Sequence, residues 1–488
     1  MSGSTALARF AAFARSVAGP DAVIDDPRER QAYSCDGLTS HRATPGLVFV
    51  PSSRDELIVG VREIIRLGLP FVARGAGTGL SGGALPETDG VLVVLARLTR
   101  VLEIDPISRV AVVEPGVVNL DLSAAVAGEG LLFAPDPSSQ IACTIGGNIA
   151  ENSGGAHCFK YGFTTNHVLG LELIDPTGEL VFVGGQSLES PGPDVRGLII
   201  GSEGTLGIAT TIVCRLINQP SLRRTLVAYF DDAVQAGDAV SEIVGAGLVP
   251  AAIEMMDRPA LVACEAATHA GLELDWGAAL LVELDGPAEE VDEGFVAVRE
   301  ALAAAGARSV WVATTEAERE RMWRARKAAF AAAGRVAPAY IVQDGVIPRT
   351  SLPRVLAAIG DLARESGLEI LNVFHAGDGN LHPLVTYDPS VPGEEARAEE
   401  VAAAILSLCL AEGGSLTGEH GIGVDKVCKM PEMFSATDLS VFARVRTALD
   451  PRGLANPGKL LPTPRLCGEQ AGRYRPHPLE EAGVATRW

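Results

Sequence analysis

The segment Arg74-Gly-Ala-Gly-Thr-Gly-Leu-Ser-Gly-Gly83 constrains this chain more than any other, because five glycines fall in the nine positions after the arginine. The residues before it read as a β-α-β unit. Leu47 to Val50 is a short apolar strand closed by Pro51, and Ser53 with Glu56 forms a capping-box pattern. Leu57, Ile58, Val61, Ile64 and Ile65 recur at helical spacing until Gly68 and Pro70 stop the helix. Phe71 to Ala73 is then a second strand, which runs directly into the glycine loop. The loop fails the dinucleotide fingerprint, since position 80 is Leu80 and no helix pattern begins there, and it lacks the Gly-Lys-Ser/Thr ending of a Walker loop. What remains is a run of backbone N–H groups unobstructed by side chains, which suits a pyrophosphate held in a nest. Taken alone, such a loop also reads as a plain turn.

Two further loops have the same texture. Pro135-Asp136-Pro-Ser138-Ser139 leads to Thr144-Ile-Gly146-Gly147-Asn148 and on to Asn152-Ser-Gly154-Gly155, and Gly201-Ser-Glu203-Gly-Thr-Leu-Gly207-Ile208 forms a third. The stretch from 133 to 167 reads as long and irregular, a length that in compact domains is usually functional. Strand-like runs lie at 91–95, 101–104, 110–113, 168–174 and 180–183, with a short helix at 120–127. Near 222 the pattern changes to a strand (225–229), a helix (about 232–246), a strand (279–283) and a helix (about 288–305), a repeated β-α-β arrangement. The expected organisation is residues 1–221 as one domain, 222–440 as a second, 441–463 as a segment returning to the first, and 464–488 as a polar tail.

With 488 residues, two or three domains and a large core are expected. The chain carries 40 Lys+Arg against 61 Asp+Glu, a net charge of −21, which disfavours nucleic acid and anionic lipid as partners and requires a local cationic group for any anionic substrate. The eight cysteines show no C-x-x-C spacing, so the chain lacks an iron–sulfur or zinc-knuckle signature and reads as a protein of a reducing compartment. No apolar run approaches the ~18 residues of a membrane span. A cytoplasmic location is expected, without direct membrane insertion and with any attachment to the inner membrane made through a partner.

Histidine supplies the second constraint. In Phe374-His-Ala-Gly-Asp-Gly-Asn-Leu-His382, a Gly-Asp-Gly-Asn turn within a hairpin would bring His375 and His382 face to face. Thr417-Gly-Glu-His-Gly-Ile-Gly423 sets Glu419 and His420 between glycines. Two imidazoles and a carboxylate make an open site for Zn²⁺ or Mn²⁺. Each histidine alone could equally be a hydrogen-bonded structural residue, and His41, His157, His167, His269 and His477 are read that way. Neighbours in an extended segment face opposite ways, so Glu419 and His420 share one site only through a kink, which the flanking glycines permit. Glu419 is assigned to the metal and His420 to proton transfer as general base.

The three glycine loops together resemble the FAD-binding domain of the vanillyl-alcohol oxidase superfamily over roughly residues 40 to 220. The resemblance implies a cofactor site made by Arg74, Gly75, Gly77, Thr78, Gly79, Ser81 and Gly82; by Pro135, Asp136, Ser138, Thr144, Gly146, Gly147, Asn148, Asn152, Gly154 and Gly155; and by Glu203, Gly207, Ile208 and Asn456. Thr78 stands where covalently flavinylated members have His, which implies non-covalent FAD; Cys143 is read as an ordinary buried cysteine. The histidine motifs, Trp323-Arg-Ala-Arg-Lys327, Asp344-Gly-Val-Ile-Pro-Arg349 and Asn456-Pro-Gly-Lys459 are similar to the FAD-linked 2-hydroxy acid dehydrogenases, with the glycolate oxidase flavoprotein subunits nearest.

That similarity implies an α+β chain: a two-subdomain FAD-binding domain and an α+β, ferredoxin-like substrate cap. It also implies that Arg326, three residues after Trp323, clamps the substrate carboxylate, which a planar guanidinium suits; otherwise Arg326 would be a surface ion-pair residue. The hydroxyglutarate branch has Thr and Lys where this chain has Phe330 and Val342, so a small monocarboxylate is expected. The implied reaction is oxidation of glycolate by hydride transfer to the flavin. Electrons would leave through a second flavin-binding subunit and an iron–sulfur subunit, or to a quinone. D-lactate oxidation is the alternative within the family, and a non-catalytic flavin-holding scaffold is the alternative outside it.

Overall fold

The computed structural model describes residues 3–187 and 192–462. The expected polar tail, 464–488, lies outside the described residues. The chain divides into two compact units. The first contains the chain up to Gly154, Phe163–Asn218 and the chain from Glu419 onward; the second contains Gly155–Gly162 and Gln219–Gly418.

In the first unit, among the described residues, a four-stranded sheet runs in the order Val23–Ile24, Leu47–Phe49, Val91–Val94, Phe71–Arg74, and its last three strands are parallel. The helix Arg54–Leu67 makes the crossover expected from the sequence. Ser53 accepts the Glu56 N–H, and Gly68 closes the helix at φ 71°. The Glu56 carboxylate reaches the N–H of Ser52, one residue earlier than a capping box requires. Leu57, Ile58, Val61, Ile64 and Ile65 are all buried, in a core shared with Phe10, Phe49 and Phe71. An antiparallel sheet follows in the order Val101–Asp105, Val110–Val113, Ile208–Arg215, Val168–Ile174, Leu180–Gly184. The stretch read as irregular contains a helix, Ile145–Glu151, capped by Thr144, whose hydroxyl accepts the Gly147 N–H. Its glycine content hides it from propensity, and one apolar face made by Ile145 and Ile149 suffices to hold it.

In the second unit, among the described residues, a seven-stranded sheet runs in the order Ser309–Val312, Leu222–Phe230, Ala278–Gly286, Ala252–Asp257, Ile370–His375, Pro383–Tyr387, Ala339–Val342. The first four form the fourth-first-third-second order of a ferredoxin-like unit. The other three extend its edge, and the helix Arg258–Thr268 is inserted in it. Helices cover both faces, so the strands read as continuous apolar runs. Alternation then sorts their side chains: Leu226, Ala228 and Phe230 join one core, Val227 and Tyr229 the other.

The return to the first unit, placed at 441 by the sequence, occurs at Glu419. The reason is local: the N–H groups of Ile422 and Gly423 bond the Glu203 carboxylate at 2.7 and 2.8 Å, and those of Val424 and Asp425 bond the Ser81 carbonyl.

Candidate active site

In the first unit the three glycine loops are joined by specific contacts. A Cβ on Gly75 would overlap the Thr144 hydroxyl, so the first loop lies directly on the second. Asn456 donates from Nδ2 to the carbonyls of Gly83 (2.8 Å) and Glu203 (2.6 Å), so one amide ties the first loop to the third. Asn119 does the same within the second, donating to the Pro135 carbonyl and to Asn148 Oδ1. Gly77 and Gly82 have φ of 72° and 77°, a conformation that favours glycine.

These residues fit a flavin dinucleotide. Ser81 Oγ and Asn456 Oδ1 are buried without a hydrogen-bond partner, the state expected of groups built to meet a ligand. Some of the expected contributors are committed elsewhere. Both carboxylate oxygens of Glu203 are taken by backbone N–H groups; burial pushes its carboxyl up, while those N–H groups and the Lys426 and Lys459 charges work the other way. Asn152 Oδ1 accepts from Thr165, and Arg74 donates to the Cys35 carbonyl. The Ile208 side chain is in the hydrophobic core, so only its backbone can face a cofactor, and Gly207 sits where a Cβ would press on the Ile174 carbonyl. Ser138 is exposed.

The same unit holds Glu419 and His420. Glu419 Oε1 and His420 Nε2 are 3.7 Å apart, and the chain turns sharply after them, with φ of 86° at Gly421 and 53° at Gly423. The kink that the flanking glycines permit is therefore present. Glu419 also lies close over the second loop, where a Cβ on Gly154 would come within 2.9 Å of its Oε2.

In the second unit the hairpin forms as expected. Ile370–His375 pairs antiparallel with Pro383–Tyr387, and the rings of His375 and His382 lie 5.1 Å apart between centroids, nearly perpendicular. His382 Nε2 is 3.4 Å from Asp344 Oδ1. Asp344 also accepts from Asn380 Nδ2 (2.8 Å), from the Thr417 hydroxyl and from the Gly418 N–H (3.2 Å).

Arg326 is buried and not a surface ion-pair residue. Its Nη2 is 2.7 Å from Glu254 Oε2, and its Nε has no hydrogen-bond partner. The other oxygen of Glu254 is 2.7 Å from His375 Nδ1. Glu254 was missed in the sequence. Its signal is a single carboxylate inside the apolar run 251–256, where an unpaired charge would be prohibitive.

A second buried carboxylate organises the neighbouring part of this face. Glu283 accepts from both Nε and Nη2 of Arg319, from Trp323 Nε1 and from Thr225, with His157 3.4 Å away. Burial alone would raise its carboxyl; the hydrogen bonds from His157 and Arg319 and the Arg319 charge overcome that and hold it far below the ordinary range. His157 stacks on Trp323 at 5.4 Å, and the two help line a cleft of about 520 Å³ with Arg319, Arg324 and Lys327.

Fold and loops together describe a two-part chain whose first unit is built to hold a flavin dinucleotide. Residues 45–184 match the FAD binding domain family, and residues 219–460 match the C-terminal domain of FAD linked oxidases. The chain is 48% identical to glycolate oxidase subunit GlcD of Escherichia coli over 93% of its length and 91% of that protein's. It is 33% identical to a D-lactate dehydrogenase of Archaeoglobus fulgidus, covering 87% and 93%. The structure of p-cresol methylhydroxylase superposes with a TM-score of 0.79 at 15% identity, covering 93% and 96%, a likeness of fold. The chain belongs to the FAD-linked oxidases, and its cofactor is FAD. Among the described residues no helix is long and apolar enough to cross a membrane.

Proposed function

We propose that this chain oxidises glycolate to glyoxylate, and that the buried set His375, His382, Glu254 and Arg326 carries the reading. His375 and His382 present their imidazoles to one another at the end of a rigid hairpin, as ligands of a divalent ion must. Glu419, the carboxylate that the glycine-flanked motif sets beside His420 in the sequence, is assigned as the third ligand. A Zn²⁺ or Mn²⁺ ion held by these three residues would polarise the substrate hydroxyl, and FAD supplies the hydride acceptor.

The chain's own residues do the rest. Arg326, with donors left beyond its Glu254 contact, orients the substrate carboxylate. His420, set beside Glu419 by the turn at Gly421, takes the hydroxyl proton. The C2–H leaves as hydride, so a 2-hydroxy acid becomes a 2-oxo acid. A role as an inert flavin scaffold would not require a buried histidine pair with its own oriented carboxylate.

Small substrate size rests on the resemblance, in which the hydroxyglutarate branch carries Thr and Lys where this chain has the apolar Phe330 and Val342. The Escherichia coli relative is named as a subunit, and the eight cysteines of this sequence show no C-x-x-C spacing of an iron–sulfur site. Electrons therefore pass to partner subunits, one flavin-binding and one iron–sulfur. The test is steady-state turnover with a dye acceptor. Glycolate should exceed D-lactate in kcat/KM and D-2-hydroxyglutarate should be poorest; D-lactate in first place would give the chain to the lactate branch.

A further inference from the structure

We infer that Glu254 is a positioning residue that serves the metal ligand His375 and the guanidinium of Arg326 at once, an inference that rests on the metal reading above. The strand register places Glu254 directly opposite His375, so their side chains leave the sheet on the same face. Arg326 arrives on that face from the helix Glu316–Lys327. Glu254 divides its oxygens: Oε1 to His375 Nδ1 and Oε2 to Arg326 Nη2, each at 2.7 Å. Both side chains and the carboxylate between them are buried.

The division has chemical consequences. A carboxylate on Nδ1 selects the tautomer that carries its proton there and would turn Nε2 toward a bound metal ion. The same carboxylate lies against Nη2 of the guanidinium as a buried ion pair, so its charge holds Arg326 on this face of the sheet. A residue needed only to neutralise a buried arginine would have no reason to spend its second oxygen on a histidine. Glu254 thus couples the group that binds the metal to the group that binds the substrate carboxylate.

The test uses the full-length flavin-loaded chain. Zn²⁺ affinity is measured by competition with a chromophoric chelator for wild type, Glu254→Gln and Glu254→Asp, with flavin content and thermal midpoint as controls. The aspartate keeps the charge opposite Arg326 while drawing the carboxylate back by one methylene, so it decides the question if the glutamine variant does not fold. Both variants should lose about 10- to 100-fold in Zn²⁺ affinity, the range found for groups that orient metal-bound histidines. Wild-type affinity in Glu254→Asp, at wild-type flavin content, would overturn the inference and leave the metal site standing. A wild-type chain that binds neither Zn²⁺ nor Mn²⁺ would overturn both.

Discussion

Asn456 and Glu203 are 253 residues apart in sequence and are joined by a 2.6 Å hydrogen bond from the Asn456 amide to the Glu203 carbonyl. The same amide reaches the Gly83 carbonyl, while the Glu203 carboxylate holds Ile422 and Gly423, two and three residues after His420. One pair of residues thus fastens the first glycine loop, the third loop and the segment that carries the proposed base. Replacing Asn456 by Ala leaves two buried carbonyls short of a donor, at about 1–3 kcal/mol. The variant should lose FAD on dialysis against buffer that leaves wild type loaded, as read from the ratio of flavin to protein absorbance.

Proton transfer is tested at His420. His420→Ala should keep its flavin and lose at least ~10²-fold in kcat, the scale of a lost general base. Turnover equal to wild type would remove the base assignment while leaving the cofactor site unaffected.

Metal dependence is tested by removal. Prolonged treatment with a strong chelator should abolish glycolate turnover without releasing flavin, and Zn²⁺ or Mn²⁺ should restore it. His382→Ala should resist that restoration at metal concentrations that rescue wild type. Activity indifferent to verified metal loss would refute the ligand set.

Acid stability is tested at Glu283. Its folded pKa lies below the ordinary 4.5, so its hydrogen bonds and ion pair contribute fully above that pH. The contribution is lost as pH falls from about 4.5 toward the depressed folded value. Glu283→Gln should be destabilised by about 1–3 kcal/mol at neutral pH, because half-buried Arg319 loses its paired bonds to Glu283 and keeps only the exposed Glu316. It should also show a flatter loss of stability than wild type between neutral pH and acid, measured as urea midpoints across a pH series.

How much of this was legible in the sequence follows from the range of each interaction. The crossover helix Arg54–Leu67 and the His375/His382 hairpin depend on apolar spacing and turn residues within a few positions, and both appear as expected. The ferredoxin-like strand order agrees with the repeated β-α-β reading, because each unit is local. The helix Ile145–Glu151 was hidden by its two glycines, of which Gly146 serves close approach: a Cβ there would press on Pro115. Glu254 was not found, and Asp344 stood in a motif without a role, because their partners are distant in the chain; Glu254 lies 121 residues from His375, and only strand pairing brings them together. The return to the first unit at Glu419 was missed for the same reason, since Glu203, the residue that holds that segment, is 219 residues from Ile422.

The most direct measurement is anaerobic. The visible absorbance of the purified, flavin-loaded chain is recorded before and after separate additions of glycolate, D-lactate and L-lactate. Bleaching of the oxidised flavin band by glycolate, faster than by D-lactate and absent with L-lactate, is the predicted result. A fully bound flavin that all three acids leave oxidised would contradict the assignment of this chain as a 2-hydroxy acid oxidising subunit.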